Sequence, residues 1–520
     1  VGEQNAAVNR DIQPGPDGFK HRIDQISNRL KSWDEDRVRL LFGLPGNSRL
    51  LKTTISLCQD CLVHVPAAVY EQDDKVFISS RCDIHGTQVA LIENDARFYR
   101  LSSKDRWGVR YAGDNIVDLP AYSGCCSGAG KHAGAPVDHS WPADFTDQRA
   151  NKSCTVLVEI TNACNLACRV CYADSRGDRV LPFGKFKTYL KHLIEQKGFL
   201  DSVQLTGGEA SLHPQFWDML EWLHRQTGVG KIYLPTNGIE FSKPSCASRL
   251  RPFRDKVLVL LQFDGLQAST NQSLRRSQPL KPRLRLVKAL NRNGIVMQFT
   301  MTLARDVSEH EIAWVVKQAV KYKNVRVLGI LPAFFSGRYE LDAHPRNRLT
   351  LSDAVNGVVA GLPGSVRKSD FLPIPCSHPN CGWTTLFARR FGLLFNIARF
   401  VNLEAVMDDV AYKTILDKKE MQGIIGTRTA NWCSRLLARM GRRLIRPRDV
   451  FGIAIKPFMD RYSYDQDRVS ACCHHILDTQ GRLASFCEYN ARLREGDGWD
   501  RQPRIHRSSN ELPVEVGEHG

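Results

Sequence analysis

Thr155-Val156-Leu157-Val158-Glu159-Ile160-Thr161-Asn162-Ala163-Cys164-Asn165-Leu166-Ala167-Cys168-Arg169-Val170-Cys171-Tyr172 runs from a short apolar stretch into a loop of cysteines spaced Cys-x3-Cys-x2-Cys and closed by an aromatic residue. Residues 155–160 are rich in β-branched side chains and read as a short strand. Five further β-rich runs follow, at 202–205, 231–234, 257–263, 295–300 and 325–330. Between and after them the apolar residues take helical spacing, at 185–197, 215–225, 283–293 and 309–322. Strands that alternate with helices pair in parallel, because each helix carries the chain back across the sheet. The expected fold is α/β, a partial (β/α)6 barrel. Such folds gather ligands at the carboxyl ends of their strands, which is where the cysteine loop falls.

A cubane iron-sulfur cluster has four irons, so three thiolates on one loop leave one iron open to a ligand from outside the protein. The plainer alternatives are a zinc site or three buried thiols. Structural zinc wants four ligands, and no fourth cysteine or histidine follows nearby. Further down the chain Thr206-Gly207-Gly208-Glu209 ends the second strand, Thr236-Asn237-Gly238 the third and Gln262-Phe263-Asp264-Gly265 the fourth. Taken singly, the glycine pair is an ordinary tight turn and Asp264 a solvated strand end.

Taken together, these segments resemble the signature of the radical S-adenosylmethionine (SAM) superfamily. The resemblance implies a [4Fe-4S] cluster on Cys164, Cys168 and Cys171 whose open iron chelates SAM, and reductive cleavage of SAM to a 5′-deoxyadenosyl radical. It implies cofactor contacts from Tyr172, Gly207, Gly208, Glu209, Thr236, Asn237, Gln262 and Asp264, the glycines letting backbone approach closely. An electron donor such as flavodoxin or ferredoxin is implied as a partner.

The flanks carry more cysteines. Residues 1–50 read as a loosely ordered polar lead-in with one helix over 26–42. Residues 51–105 read as a β-ribbon with Cys58-x2-Cys61 and Cys82-x2-His85, paired ligands suited to zinc or a mononuclear iron. Residues 106–153 read as a linker, 154–345 as the barrel, 346–495 as a helical region and 496–520 as a polar tail. In the helical region Cys376, Cys381, Cys472, Cys473 and Cys487 are expected to converge on an auxiliary [4Fe-4S] cluster, the alternative being unpaired buried thiols. Cys246 and Cys433 are isolated.

The ribbon entry, the cysteine loop, Pro375-Cys376-Ser377-His378-Pro379-Asn380-Cys381 and Ser485-Phe486-Cys487-Glu488-Tyr489-Asn490 together resemble the tetraether-lipid-synthase-like group, which also takes in pterin methyltransferases. That resemblance implies several iron-sulfur clusters, a mononuclear iron and radical coupling of unactivated lipid carbons. One departure stands out: the group has a tight cysteine run before the first strand, whereas here Cys125 and Cys126 are parted from Cys154 by a Gly- and His-containing stretch. It reads either as real divergence or as a damaged reading frame.

In 520 residues, 42% of them hydrophobic, there is room for a sizeable core. Lys and Arg exceed Asp and Glu by 72 to 55, a net charge of +17, which favours anionic partners. Sixteen cysteines in a chain this long, several in metal spacing, point to a reducing cytosol rather than to disulfides. The polar start at 1–10 has no signal-peptide apolar region, and its Val1 reads as a fragment, a processed start or a non-standard start codon. Residues 386–407 carry an apolar face at helical spacing beside Arg389, Arg390 and Arg399, read first as a core-facing helix and second as a peripheral membrane contact. The basic run 435–448 reads equally as a phosphate contact or a solvated helix face.

The expectation is thus a cytoplasmic enzyme, with membrane-peripheral attachment as an option, that functionalises an unactivated carbon. Carbon-carbon bond formation on lipid alkyl chains ranks first, radical methyl transfer to a pterin or other small molecule second, and RNA modification third, on charge alone. The contrasting class is a non-catalytic zinc or iron-sulfur binding protein.

Overall fold

The computed structural model describes residues 16–101, 153–243, 245–276, 280–342, 344–374, 378–390, 393–400, 449–470 and 472–505. It begins with α1 (Pro16–Lys31) and α2 (Glu35–Phe42), two helices where one was expected. The break is local chemistry: Asp34 accepts a hydrogen bond from the Arg37 amide at 2.8 Å and so caps a new helix. Ile23, Ile26, Leu30, Trp33, Val38 and Phe42 pack on Ile55 and Ala68, so this stretch is a packed cover rather than a loose lead-in.

Beneath it lies a four-stranded antiparallel meander of β1 (Arg49–Leu57), β2 (His64–Gln72), β3 (Lys75–Cys82) and β4 (Gly86–Glu93), followed by α3 (Ala96–Leu101). The metal-type residues occupy its two turns at one end.

The second unit is built on β5 (Thr155–Thr161), which is buried along its whole length. The two-residue β6 (Val170–Cys171) closes the cysteine loop. Then come α4 (Phe183–Lys197), β7 (Leu200–Gly207), α5 (Phe216–Arg225), β8 (Val229–Thr236), β9 (Val257–Gln262), α6 (Ala268–Arg275), α7 (Leu280–Arg292), β10 (Val296–Leu303), α8 (Ile312–Lys321) and β11 (Val325–Pro332). The sheet runs β11-β10-β9-β8-β7-β5 with every neighbour parallel. Phe186, Leu190 and Leu193 of α4 and Met219, Leu220 and Leu223 of α5 sit in one core with the strands' apolar residues.

The remaining strands are β12 (Arg338–Tyr339), β13 (Leu372–Pro373), β14 (Trp383–Arg390), β15 (Leu393–Asn396), β16 (Val450–Ile455), β17 (His474–Leu477) and β18 (Leu483–Ser485), with α9 (Leu351–Gly361) after β12. β16 extends the sheet in parallel beside β11, and β17 does so beside β5. Antiparallel β14 and β18 flank them, and the ends do not pair, so the barrel is partial. The region expected to be helical after residue 346 therefore supplies strands as well as helices. Within 386–407 the described part is a hairpin of β14 and β15 and a 3-10 turn at Ile397–Phe400, not a helix. Its residues follow period two: Trp383, Thr385 and Phe387 are buried while Leu386 is exposed.

Lys52 on β1 fastens the ribbon to the barrel, its ammonium lying 2.8 Å from Asp465 and 2.6 Å from Asp467. The expected polar tail is docked as far as 505: Val180 donates to the Pro503 carbonyl at 2.9 Å and Arg179 to the Gln502 carbonyl at 2.8 Å. Cys125, Cys126, Cys376, Cys433, residues 401–407, the basic run 435–448 and all of the expected linker except Ser153 lie outside the described residues. Among the described residues no helix is long and apolar enough to cross a membrane.

Candidate functional site

The loop 162–172 leaves the carboxyl end of β5, and its backbone is gripped from three sides. Its β6 portion pairs antiparallel with β12, Cys171 opposite Arg338. Arg169 donates its amide to the Leu274 carbonyl of α6 at 3.0 Å, and the buried Arg338 guanidinium donates to the Cys168 carbonyl. From β7, Gly208 donates to the Thr161 carbonyl at 2.9 Å and Glu209 to the Ala163 carbonyl at 2.8 Å. Here the glycine pair finds its reason. Gly207 has φ +121°, and a Cβ on it would lie 2.0 Å from the Thr161 carbonyl oxygen; one on Gly208 would lie 2.0 Å from that of Ala163. The close approach is therefore to the cysteine loop itself.

Cys164, Cys168 and Cys171 are all half-buried and free of disulfides. Burial pushes the Cys164 thiol up to about 12, with Glu209, Cys168 and Cys171 close enough to add to the shift. Burial also raises Cys168, against the pull of the Arg275 guanidinium. Three half-buried sulfurs on one glycine-supported loop fit a cubane with an open corner.

The polar strand ends converge beside this loop. Glu209 is buried, and its carboxylate accepts from Thr236 Oγ1 at 2.8 Å, Ser211 Oγ at 2.6 Å and the Asn237 amide at 2.9 Å. Burial raises its pKa, opposed by those same donors. Asn237 in turn donates to Asn165 inside the cysteine loop at 2.7 Å. Tyr172 stands against β7, its hydroxyl 3.1 Å from that of Thr206. Gln262 donates to Asp264 at 2.6 Å, and Asp264 receives Arg275 through both oxygens, at 2.9 and 3.1 Å. The expected cofactor contacts thus form one connected patch. Arg275 and Arg338 were missed from the sequence; the signal available was that a buried aspartate at a strand end requires a cation.

Between the barrel's two sides lies a group of rings. Tyr172, next to Cys171, meets Phe486, next to Cys487, edge to face at 5.2 Å. Phe458 packs on Phe486 at 4.6 Å and on Phe334 at 5.5 Å. Behind them sits the second sulfur group. Cys472 is pushed up to about 11 by burial, with Cys473 and Cys381 adding, and Cys487 to about 12 by burial, with Cys472 and Cys381 adding. Arg468 donates to Cys381 Sγ at 3.4 Å. Cys473 packs with Cys154.

At the ribbon end, Cys58, Cys61, Cys82 and His85 place their ligand atoms within 4.8 Å of one another. This is a set for a single tetrahedral ion. Within the quartet the thiols are pulled apart: burial raises Cys58, while the backbone N–H groups of His85 and Ile84 lower Cys82 against its own burial.

Residues 158–319 match the family model of the radical SAM superfamily, and residues 50–94 that of the HMPTM N-terminal zinc ribbon domain. The chain is 24% identical over 505 residues to the 7,8-dihydro-6-hydroxymethylpterin dimethyltransferase of Methanocaldococcus jannaschii, covering 85% of this chain and 94% of that protein. The mycofactocin maturase MftC of Mycobacterium tuberculosis is 33% identical over 119 residues, which span 22% of this chain and 29% of the maturase. Among solved structures, Streptococcus suis SuiB bound to S-adenosylmethionine aligns over 37% of this chain and 44% of its own, at 18% identity and a TM-score of 0.33. With the loop geometry, the two family-model matches and the M. jannaschii relative in hand, the chain is a radical SAM enzyme, with a zinc ribbon ahead of its barrel, similar to a pterin methyltransferase.

Proposed function

We propose that the protein methylates a small planar heterocycle of the reduced-pterin class by radical chemistry, a second SAM giving the methyl and leaving as S-adenosylhomocysteine, beside the SAM that is cleaved to methionine and 5′-deoxyadenosine, with dithionite supplying the electrons. The observation that carries this reading is the similarity to the M. jannaschii dimethyltransferase along 94% of that protein's length, together with this chain's own match to the HMPTM N-terminal zinc ribbon ahead of its radical SAM domain. The rings of Tyr172, Phe334, Phe458 and Phe486 beside the cysteine loop support it, since flat heterocycles stack on aromatic faces. Lipid coupling, ranked first on sequence, has less support: the helix suggested as a lipid contact is, where described, a hairpin.

In this reading Cys164, Cys168 and Cys171 hold the [4Fe-4S] cluster, and Glu209, Thr236 and Asn237 shape the pocket for the methionine part of SAM. A cluster bound there would supply the electron that opens SAM's sulfonium. Tyr172 walls the pocket on the β7 side, Gln262 and Asp264 hold the β9 end, and the ribbon quartet keeps a structural zinc. Cys381, Cys472 and Cys487 hold a second cluster across the rings.

The test is anaerobic incubation of reconstituted protein with SAM, dithionite and 7,8-dihydro-6-hydroxymethylpterin. The expected result is a methylated pterin by mass spectrometry and 5′-deoxyadenosine, both lost in Cys168→Ala. Deoxyadenosine without a methylated pterin, together with coupled chains when lipid is supplied, would turn the assignment to lipid.

A further inference from the structure

Behind the cysteine loop, two guanidiniums are buried beside the carboxylate of Asp264. Asp264 is fully buried, and Arg275 and Arg283 are only 7% and 4% exposed. Arg275 closes on both oxygens of Asp264, donates to the Val170 carbonyl of the loop at 3.2 Å and to Thr302 Oγ1 at 2.5 Å, and is within electrostatic reach of Cys168. Arg283 donates through Nη1 to Asn271 at 3.2 Å and lies over the Phe263 ring at 5.9 Å, but its Nη2 is buried without an acceptor. It too is within electrostatic reach of Asp264 and Cys168. Asp264 answers Arg275, and the other buried carboxylate close by, Glu311, is taken up by the Leu266 and Gln267 amides and by Thr270 Oγ1, so among the described residues no carboxylate meets Nη2 of Arg283; a buried cation left so favours an anion near it.

The anion in reach is the sulfur trio once it holds its cluster. A cubane on three thiolates carries one net negative charge when oxidised and two when reduced, so an excess cation behind it favours the reduced state more. We propose that Arg275, held in place by Asp264 and backed by Arg283, raises the reduction potential of the cluster on Cys164, Cys168 and Cys171. Arg275 and Arg283 are positioning residues: they act through the cluster's field. The step they favour is the transfer of one electron from a low-potential donor, dithionite in the test, to the oxidised cluster. The inference rests on the cluster being bound by that trio.

The geometry makes the sign of the effect testable. In the anaerobically reconstituted full chain, the cluster is titrated with dithionite at set potentials and the reduced form is read by electron paramagnetic resonance, with iron content measured on the same samples. Arg275→Gln removes a cation and lowers the ratio of reduced to oxidised cluster at a given potential about tenfold, a shift of about 59 mV for a one-electron couple. Arg283→Met lowers it by a smaller factor, and Arg275→Lys recovers part of the loss. Asp264→Asn removes an anion and raises the reduced fraction. Loosening of the loop for structural reasons alone would move the arginine and aspartate variants in the same direction. Opposite shifts at full iron content support the proposal, while equal potentials or shifts of one sign overturn it. If Arg275→Gln fails to load iron, Arg283→Met decides, because its guanidinium touches no atom of the loop. A parent protein that shows no cluster signal at all sinks the cluster assignment itself, a result distinct from unchanged potentials.

Discussion

Asn237 donates its side-chain amide to the side-chain oxygen of Asn165 at 2.7 Å, so the end of β8 is fastened to the middle of the cysteine loop. The same Asn237 donates its backbone amide to Glu209, which makes one chain of contacts from Cys164's neighbour to the β7 terminus. Removing the side chain frees the loop without touching a sulfur. Asn237→Ala is expected to cost about 1 kcal/mol, read as about a fivefold weaker retention of iron or of SAM. Iron per chain after gel filtration and SAM affinity by calorimetry check this; parent-like values for both would show that the tie does no work.

Glu209 presents a buried carboxylate fixed by three donors, so its position is set before any ligand arrives. Glu209→Gln keeps the shape and removes the charge that a methionine ammonium would meet. SAM affinity is expected to fall about ten- to a hundredfold, the worth of a charge-assisted hydrogen bond, with iron content unchanged. A Kd within twofold of the parent, measured anaerobically, would exclude contact between this carboxylate and the ammonium.

How much of this was legible in the sequence depended on whether the information was local. The six barrel strands were readable because each is a short apolar run between turn signals, and the ribbon quartet because its ligand spacing is a local geometric requirement. The hairpin of β14 and β15 was read as a helix because short apolar runs carry both periods; its pairing with β16 settles the matter from over fifty residues away. Arg275 and Arg283 escaped notice because a helix rich in Arg and Lys, such as α7, looks solvated until the fold turns one face inward. Likewise nothing near Lys52 announces Asp465 and Asp467, its partners from the other end of the chain.

Loss of a ribbon ligand should be felt in the ribbon alone. Four ligand atoms within 4.8 Å make a structural site whose metal binding is part of its folding free energy, about 10 kcal/mol or more for comparable modules. Cys82→Ser is expected to lose one zinc per chain and to melt the ribbon at lower temperature, leaving the barrel's iron in place. Metal analysis by plasma mass spectrometry checks both counts. Full zinc in the variant would contradict a four-ligand site, and loss of iron alongside zinc would show that the barrel depends on the ribbon.

The joint between ribbon and barrel carries a pH dependence of its own. Glu93, at the end of β4, is buried and accepts hydrogen bonds from Thr350 Oγ1 at 2.7 Å, from the Asn94 amide at 2.7 Å and from Ser352. Burial pushes its pKa up to about 7, against the pull of those hydroxyls. A carboxyl whose folded pKa lies above its unfolded value of about 4.3 holds its proton more tightly in the native state. Its contribution to stability is therefore complete below about pH 4 and is lost as the pH rises through 7. The shift corresponds to a loss on the order of 3 kcal/mol across that window. Glu93→Gln keeps an acceptor for the same donors and cannot ionise, so its stability relative to the parent should climb between pH 5 and about pH 8. Denaturant unfolding at the two pH values checks the sign. A parent-to-variant difference that stays constant with pH would mean that Glu93 is already ionised in the native joint at acid pH, and that the hydroxyls of Thr350 and Ser352 outweigh its burial.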